Sequence, residues 1–321
     1  MKSFLIKLGW VSIIFYGLLF VLQTIVDYRL RNNYDLVYTD WNLLMKGKIN
    51  TAMVFLGNSR TEAHFDTDII KKNTGISSYN LGVPGASLTI EQLRWKSYLE
   101  HNTPPKIVVQ NIDLYALTDK PINNKKQYLP YYNESEIMDR LYKIDATVRY
   151  EKYIPMSKYR GYESEVLNGL GFRSCTFTKK RKVKGYNSHS DTWNTDFILM
   201  KKSLNGKKIK YNTAEITNQC NELKKIIRDC NTIHSKLILV WAPQYYELSE
   251  LQEPTFSRMK KEIATLAVQN KNVVFWDFTT NPLNRNKKFF YNSFHLNTVG
   301  VAVFCRQFSD SLNRYLKKPI L

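Results

Sequence analysis

The chain has 321 residues, of which 43% are hydrophobic and 13% aromatic; this is enough apolar material for one substantial core, or one core with an insertion, and it argues against a disordered chain. The formal net charge of +19 is compatible with nucleic acid, an anionic membrane surface or an acidic polymer such as a charged glycan, and it does not choose among them. The four cysteines form no CxxC pair and no Cys/His cluster, so we expect buried free thiols, no metal site and no cofactor.

Residues 8–26 form an uncharged run rich in Leu, Ile, Val and Phe, and Lys2 and Lys7 precede it. At 1.5 Å per residue the run just crosses a hydrocarbon core of about 30 Å. A cleavable signal peptide would have a shorter apolar core and small residues at its cleavage site, and this run has neither. We therefore expect residues 1–30 to be a retained anchor in the lipid bilayer. If the N-terminus stays inside, the rest of the chain faces the extracytoplasmic side, which argues against nucleic acid as a partner.

Residues 31–321 have the pattern of one α/β domain, because short apolar runs alternate with helical patterns. Such alternation with short links predicts a mostly parallel, doubly wound sheet, in which ligands lie beyond the carboxyl ends of the strands. The predicted strands are 51–56, 77–81, 107–109, 237–241 and 273–277; the predicted helices pass through 68–70 and cover 88–100, 215–230, 256–269 and 299–316.

The alternation breaks between about residues 120 and 212, a stretch crowded with Tyr and Lys that includes the basic run 179–182. One interpretation is an insertion over the site, a lid whose aromatic faces and cations bind a sugar polymer. The other is a solvated basic flap that only decorates the fold. The tyrosines concerned include Tyr128, Tyr131, Tyr132, Tyr150, Tyr153 and Tyr159.

Ser59 stands between a predicted strand and a predicted helix, at the carboxyl edge of the sheet. The free N–H groups of a helix N-terminus, including those of Ser59 and Arg60, would there stabilise a developing oxyanion. Gly57 would let the backbone turn sharply. The alternative is that Ser59 only caps the helix.

His295 lies in a loop before the last predicted helix, from which its imidazole can reach the same edge of the sheet. A serine nucleophile needs a base within about 3 Å and a group that orients that base. Asn292, three residues earlier, occupies the orienting position. No such setting surrounds the other four histidines, His64, His101, His189 and His234.

These residues resemble the motifs of the SGNH (GDSL-type) hydrolase superfamily, particularly its membrane-anchored members associated with bacterial cell-surface polysaccharides. Residues 57–59 resemble the first block, whose Ser is the nucleophile, and residues 292–295 resemble the last block, usually Asp-x-x-His. Residues 80–85 resemble the second block, in which a Gly N–H serves the oxyanion hole. Residues 110–113 loosely resemble the third block, typically Gly-x-Asn-Asp.

The resemblance covers about residues 50–115 and 215–316 and leaves the basic insertion unmatched. It implies a flavodoxin-like fold and an ester-cleaving or acyl-transferring activity through an acyl-enzyme on Ser59. Gly82 and Asn111 become candidates for the oxyanion hole, as does Arg60. The alternatives are that Asn111 only closes a turn and that Arg60 pairs with a local carboxylate.

Two positions depart from the family pattern. Asn58 replaces the usual Asp of the first block, which affects the loop more than the chemistry. Asn292 replaces the Asp that normally holds the histidine, so it can accept the ring N–H but gives no negative charge to an imidazolium. Asp113 and Asp277 are candidates for a substitute carboxylate, although we favour loop capping for each.

The leading functional hypothesis is a membrane-anchored serine esterase or O-acyl (acetyl) transferase acting on an anionic cell-envelope or extracellular glycan. The resemblance further implies a bacterial inner membrane, a domain facing the periplasm or exterior, and a membrane partner that donates acyl groups. The alternative is a catalytically inactive, SGNH-fold subunit for polysaccharide binding or assembly. A nucleic-acid binder is suggested only by charge and ranks below both, since no nucleic-acid-binding motif appears.

Overall fold

The computed structural model of the chain describes residues 1–151, 153–172 and 183–317. The basic run 179–182 and Cys175 lie outside these residues. The chain divides into two compact units. The N-terminal unit comprises Met1–Lys46 and Pro121–Lys180, and the sheet unit comprises Gly47–Lys120 and Arg181–Leu321. The predicted insertion is therefore shared: its first part belongs with the N-terminal helix, and its last part belongs with the sheet.

Five parallel strands form the centre of the sheet unit. The strands are β1 (Met53–Leu56), β2 (Ser78–Asn80), β3 (Ile107–Asn111), β4 (Lys236–Trp241) and β5 (Val273–Asp277). Their order is β2-β1-β3-β4-β5, which is the order of the flavodoxin-like, doubly wound sheet. The predicted fold class is confirmed, and the strands lie close to the predicted ranges.

The helices of the chain, in sequence order, are α1 (Lys2–Arg31), α2 (Thr39–Met45), α3 (Ser59–His64), α4 (Thr67–Thr74), α5 (Leu88–His101), α6 (Ser135–Tyr142), α7 (Val148–Glu151), α8 (Glu163–Gly169), α9 (Asp196–Leu204), α10 (Thr213–Thr232), α11 (Tyr246–Leu251), α12 (Thr255–Val268) and α13 (Thr298–Lys317). Single 3₁₀ turns occur at Lys125–Gln127, Leu129–Tyr131, Ser157–Tyr159, Pro282–Arg285 and Lys287–Phe289.

Both faces of the sheet are covered. On one face, α4 and α13 pack on each other, and Phe304 and Phe308 of α13 pack with Phe55 of β1. On the opposite face, α5 and α10 pack on each other, and α10 contacts β4. Successive strand residues point to opposite faces, so residues of both parities are buried. This explains why β1, β3 and β4 appear in the sequence as largely continuous apolar runs rather than as alternating patterns.

The N-terminal unit has a core of its own, built around the C-terminal end of α1. Val26 and Leu30 of α1 are fully buried, and α1 packs on α8 and on the turn Leu129–Tyr131. Asp27 of α1 forms a buried ion pair with Lys158, with an N···O distance of 2.7 Å. Four of the tyrosines named above are buried rather than available to a ligand: Tyr128, Tyr131, Tyr132 and Tyr159.

Helix α1 has 30 residues and contains an 18-residue window with a mean hydropathy of 2.2. Among the described residues it is the one helix long and apolar enough to cross a membrane. From Phe4 to Val21 its large apolar side chains are exposed, apart from the half-buried Leu19.

Candidate active site

A tight connection between β1 and α3 positions Ser59. Gly57 has a φ of +146°, and a Cβ on it would lie 2.0 Å from the Thr61 hydroxyl oxygen, so this position requires glycine. Asn58 is the N-cap of α3, and its Oδ1 accepts a hydrogen bond from the Arg60 N–H at 3.0 Å. The cap leaves Ser59 as the first residue of the helix, with its hydroxyl beyond the carboxyl end of β1.

Ser59, His295 and Asn292 form a continuous chain of hydrogen bonds. The Ser59 Oγ lies 2.9 Å from His295 Nε2, and His295 Nδ1 lies 3.0 Å from Asn292 Oδ1. Ser59 and His295 both remain partly exposed, so a substrate can approach them. The structure thus brings together the three residues expected to carry the chemistry, in the arrangement that nucleophilic catalysis requires.

The orientation of the Asn292 amide is fixed by the backbone. Its Oδ1 also accepts hydrogen bonds from the backbone N–H groups of Phe294 and His295, at 3.0 and 2.9 Å. A reversed amide would turn its NH₂ towards these two donors. Because the oxygen faces the ring, His295 must carry its proton on Nδ1, which leaves Nε2 as the acceptor for the Ser59 hydroxyl.

No negative charge supports this histidine, and the pKa of its ring is low. Burial, followed by the positive charge of Arg60 and the proximity of His189, lowers the pKa of His295 from 6.5 to about 3. The imidazole is therefore neutral at physiological pH. It is also a weaker base than a histidine held by a carboxylate.

His64, which we did not expect to have a role, lies directly beneath the site. It ends α3, is fully buried, and its Nε2 accepts a hydrogen bond from the Leu296 N–H at 3.0 Å. Its ring meets that of His295 edge-on at 6.1 Å. Burial, and next the charge of Arg60, hold the pKa of His64 well below its usual value. His64 is a positioning residue for the loop that carries His295; the only sequence signal was its place on the Ser59 helix.

An aromatic stack covers the other side of His295. The Tyr291 ring lies parallel to the imidazole at 5.2 Å, and the His189 ring stacks on Tyr291 at 4.9 Å. The His189 carbonyl accepts a hydrogen bond from the Thr298 N–H at 2.9 Å. The last part of the predicted insertion therefore contributes directly to the setting of His295.

Two candidates for the oxyanion hole, Gly82 and Asn111, lie next to the Ser59 turn. A Cβ on Gly82 would lie 2.4 Å from the Glu62 N, within α3, and the Gly82 N–H donates to Asn80 Oδ1 at 3.0 Å. Asn111 Nδ2 is buried and has no hydrogen-bond partner within the described part of the chain. An unsatisfied buried donor is costly. The contributions of Gly82 and Asn111 to an oxyanion hole stay predictions.

The guanidinium of Arg60, the third candidate, is bound by the loop that follows β4 and by Asp113. Arg60 is 2% exposed, and its Nη2 donates to the carbonyls of Ala242 and Pro243, at 2.7 and 2.8 Å. Its Nη1 lies 3.4 Å from Asp113 Oδ2. Arg60 thus holds the loop that follows β4, and its backbone N–H is occupied by the helix cap. A contribution of Arg60 to an oxyanion hole stays a prediction.

The two candidate substitute carboxylates are engaged elsewhere. Asp113 accepts hydrogen bonds from Asn58 Nδ2, at 3.1 and 2.9 Å, and from the Ala116 N–H. Asp277 accepts from the Thr279 N–H at 2.9 Å and pairs with Lys260. Both act as loop caps, as we favoured. The contact with Asp113 also gives a reason for Asn58, because a carboxylate at position 58 would repel Asp113.

Across residues 1–151, 153–172 and 183–317, no three His, Cys, Asp or Glu side chains are grouped so that they could hold a metal ion. Cys220, Cys230 and Cys305 are free thiols, and burial raises the pKa of each, to about 11 for Cys220.

No family model and no curated protein matches the chain. Among solved structures, it is similar to a protein described as a platelet activating factor from Streptococcus pneumoniae (TM-score 0.42, 12% identity, 96% of this chain and 99% of that chain). It is also similar to a protein described as an acylhydrolase from Bacteroides fragilis (0.43, 13%, 85% and 90%) and to a family two carbohydrate esterase from Clostridium thermocellum (0.37, 9%, 84% and 65%). Because these TM-scores lie below 0.5, a functional conclusion must come from the site itself.

Proposed function

We propose that the chain is a serine ester hydrolase or O-acyltransferase that works through an acyl-enzyme on Ser59. The observation that supports this most directly is the hydrogen-bond chain from Ser59 through His295 to Asn292. A serine that only capped a helix would need no imidazole at 2.9 Å, and here the cap is Asn58.

In this mechanism His295 Nε2 takes the hydroxyl proton as Ser59 Oγ attacks the ester carbonyl. The tetrahedral oxyanion is stabilised by the Ser59 N–H, by Asn111 Nδ2 and by the Gly82 N–H once that group leaves Asn80. The imidazolium returns its proton to the leaving alcohol, and the acyl group stays on Ser59. Water or an acceptor hydroxyl then attacks the acyl-enzyme with the same proton transfers, which gives hydrolysis or acyl transfer respectively.

A fluorophosphonate probe on the full-length chain in detergent tests this proposal. We expect labelling of the wild type and its loss in Ser59→Ala and His295→Ala. Ser257→Ala changes an exposed serine on α12 and serves as the matched control, with labelling unchanged. Equal labelling of wild type and Ser59→Ala would refute the mechanism, since another nucleophile would then carry the reaction.

For the substrate, we propose an acylated, anionic cell-envelope or extracellular polysaccharide. The net charge of +19 supports an anionic partner, and the membrane helix supports a location at the cell envelope. If the chain is a transferase, we propose that a membrane protein supplies it with acyl groups. We propose no nucleic-acid partner. We expect the wild type to remove acetyl groups from O-acetylated anionic glycans, and we expect the Ser59→Ala variant to lose this activity.

An inactive glycan-binding subunit remains the second candidate, and a specific observation favours it. Asn292 gives no charge to His295, whose pKa lies near 3, so the base is weak. This alternative predicts glycan binding that is equal in wild type and Ser59→Ala, together with no probe labelling of the wild type. Labelling that requires both Ser59 and His295 would exclude it.

We propose further that α1 is a retained, single-pass anchor in a bacterial inner membrane, with the remainder of the chain facing the periplasm or exterior. Support comes from Asp27, whose carboxylate pairs with Lys158 inside the N-terminal unit, and from the buried Val26 and Leu30. Cleavage after a signal sequence would remove part of this core. Carbonate-resistant membrane association of the mature chain, with its N-terminal peptide intact, would be the expected finding.

A further inference from the structure

Residues 153–159 of the N-terminal unit run along the side of α1. At the upper end, the Tyr159 hydroxyl donates to Asp27 Oδ1 at 2.5 Å. One helical turn further towards the N-terminus, the Met156 N–H donates to the side-chain oxygen of Gln23 at 2.6 Å. Gln23 and Asp27 are both buried by this contact. The segment is therefore held to α1 at successive levels rather than at one point.

The next contact lies much further along the helix. The Tyr16 hydroxyl donates to the carbonyl oxygen of Tyr153 at 2.6 Å. Tyr16 precedes Asp27 by eleven residues, which corresponds to about 16 Å along the helix axis. Tyr153 is therefore beside the apolar part of α1, well away from the charged residues at its C-terminal end.

The two lysines near the start of α1 limit how a membrane can lie across it. A hydrocarbon core of about 30 Å corresponds to roughly 20 helical residues. If Lys2 marks one boundary, with the Lys7 ammonium reaching back towards it, the opposite boundary falls near Val21. If Lys7 itself marks the first boundary, the opposite boundary of the hydrocarbon core moves closer to Asp27. In the first placement Tyr16, and with it Tyr153, lies about 8 Å on the hydrocarbon side of the nearer boundary. In the second placement Tyr16 would lie near the centre of the bilayer, where the irregular backbone at Tyr153 is not stable, so the first placement is the one that fits.

The exposed side chains of this segment suit such a position. Tyr150, Tyr153 and Ile154 are 71%, 66% and 58% exposed. Tyrosine is enriched where the membrane meets water, because its ring is apolar and its hydroxyl is polar. The neighbouring Arg149 is exposed as well and can approach lipid phosphates. Since irregular backbone is not stable in the middle of a bilayer, the segment fits the boundary rather than the centre.

We infer that Tyr150 and residues 153–156 form a second membrane contact, in which Tyr153 and Ile154 insert at the boundary between head groups and hydrocarbon of the bilayer that α1 crosses. This inference rests on the proposed anchoring of α1. The partner is the lipid bilayer, and the contact continues the apolar surface of α1. The N-terminal unit thus rests on the membrane instead of being held above it by a tether.

The test uses the full-length chain with Ile154→Cys, carrying a nitroxide label, in vesicles of phosphatidylcholine and phosphatidylglycerol. The accessibility of the label to oxygen, which enters the bilayer, is compared with its accessibility to a nickel chelate, which stays in water. We expect this ratio to be several-fold higher at position 154 than at position 268. Val268→Cys is the matched control, because Val268 is an 89% exposed aliphatic residue of the sheet unit. The unsubstituted chain gives the background from native thiols.

Flotation of the vesicles separates the possible failures. Suppose that the chain floats but the label at position 154 is as accessible to the nickel chelate as the label at position 268. That result overturns this inference and leaves the anchoring proposal in place. A chain that does not float overturns the anchoring proposal and this inference with it. Tyr153→Trp gives an independent measurement: brominated lipids should quench its added fluorescence relative to the wild type, and the absence of added quenching counts against membrane contact.

Discussion

Three N–H groups converge on one oxygen atom of Asn292: two from the backbone and one from the ring of His295. In a serine protease, the change from Asp to Asn costs about 10⁴ in kcat, largely because the histidine adopts the wrong tautomer. Here the backbone donors prevent that error, since they fix the amide. What Asn292 does not provide is charge, so it does not offset the burial and the positive charge of Arg60 that lower the pKa of His295.

Asn292→Asp should therefore increase reactivity. A carboxylate keeps the three hydrogen bonds and adds a negative charge, which raises the pKa of His295 and strengthens the base. We expect fluorophosphonate labelling to become faster by at least about tenfold. We also expect an acid limb to appear in the rate–pH profile, because His295 then protonates at a higher pH than in the wild type, whose rate should show no such limb between pH 5 and 8.

Asn292→Ala is the companion variant, with slower labelling than the wild type because nothing then orients the ring. If Asn292→Asp labelled no faster than the wild type while both melted at the same temperature, the missing charge would not be what limits the serine.

His64 makes stability depend on pH. The pKa of His64 in the folded chain lies below its usual value. At low pH the unfolded chain therefore binds a proton at His64 that the folded chain does not bind, and the free energy of unfolding decreases as the pH falls below about 6.5. The slope approaches about 1.4 kcal/mol per pH unit. His64→Gln keeps an acceptor for the Leu296 N–H but does not titrate, so the free-energy difference between wild type and variant, from urea unfolding, should shrink from pH 7 to pH 5.

Glu91 makes the free energy of unfolding depend on pH in the opposite direction. It is 1% exposed, and burial raises its pKa well above the usual value, against the hydrogen bond from Gln110. Its contribution to stability is present below the ordinary carboxyl pKa and is lost as the pH rises. Glu91→Gln should remove this slope, so that the variant gains stability relative to the wild type between pH 5 and 8. A difference that stayed constant with pH would mean that Glu91 is ionised in the folded chain.

At the scale of elements, the turn from β1 to α3 depends on Gly57, whose φ of +146° and contact with Thr61 exclude any side chain. Gly57→Ala should cost at least about 1–3 kcal/mol of stability and abolish labelling of Ser59. Gly75→Ala is the matched control, because Gly75 also has a positive φ, +75°, but open space around it. It should cost about 1–2 kcal/mol and leave the labelling rate unchanged. Equal labelling of the two variants would contradict this account of the turn.

Strands β1, β3, β4 and β5 were predictable because each contains a short apolar run, whereas β2 consists of Ser, Tyr and Asn. Ser59 and His295 were predictable because each lies where a strand or loop meets a helix. One helix pattern after Ser59 is in fact two helices, since Phe65 adopts an extended conformation and Asp66 caps α4. Side-chain direction was not predictable. His64 and Arg60 both turn inwards from α3, and nothing in their spacing distinguishes that from solvent exposure.

At the scale of the whole molecule, α1 is long and apolar enough to cross a membrane, and its C-terminal end belongs to a folded unit. A chain that lacks residues 2–20 keeps Asp27 with its partner Lys158, whereas a chain that lacks residues 2–31 leaves Lys158 buried without a counter-charge. Breaking a buried pair in this way costs about 3–5 kcal/mol. We expect limited proteolysis to cut residues 121–172 much faster in the shorter chain, and equal rates would show that this region folds without α1.

The ion pair between Asp27 and Lys158 joins residues that lie 131 positions apart in the chain. A ribosome adding about 5–20 residues per second therefore needs roughly 7–26 s to deliver the lysine after it has made the aspartate. During that interval α1 can already enter a bilayer, and β1, β2 and β3 have already emerged. The core of the N-terminal unit, however, still lacks the residues that follow position 120. The N-terminal helix is thus synthesised first but cannot complete its core until the chain has reached about residue 159, and the sheet unit, which needs β4, β5 and α13, is completed later still.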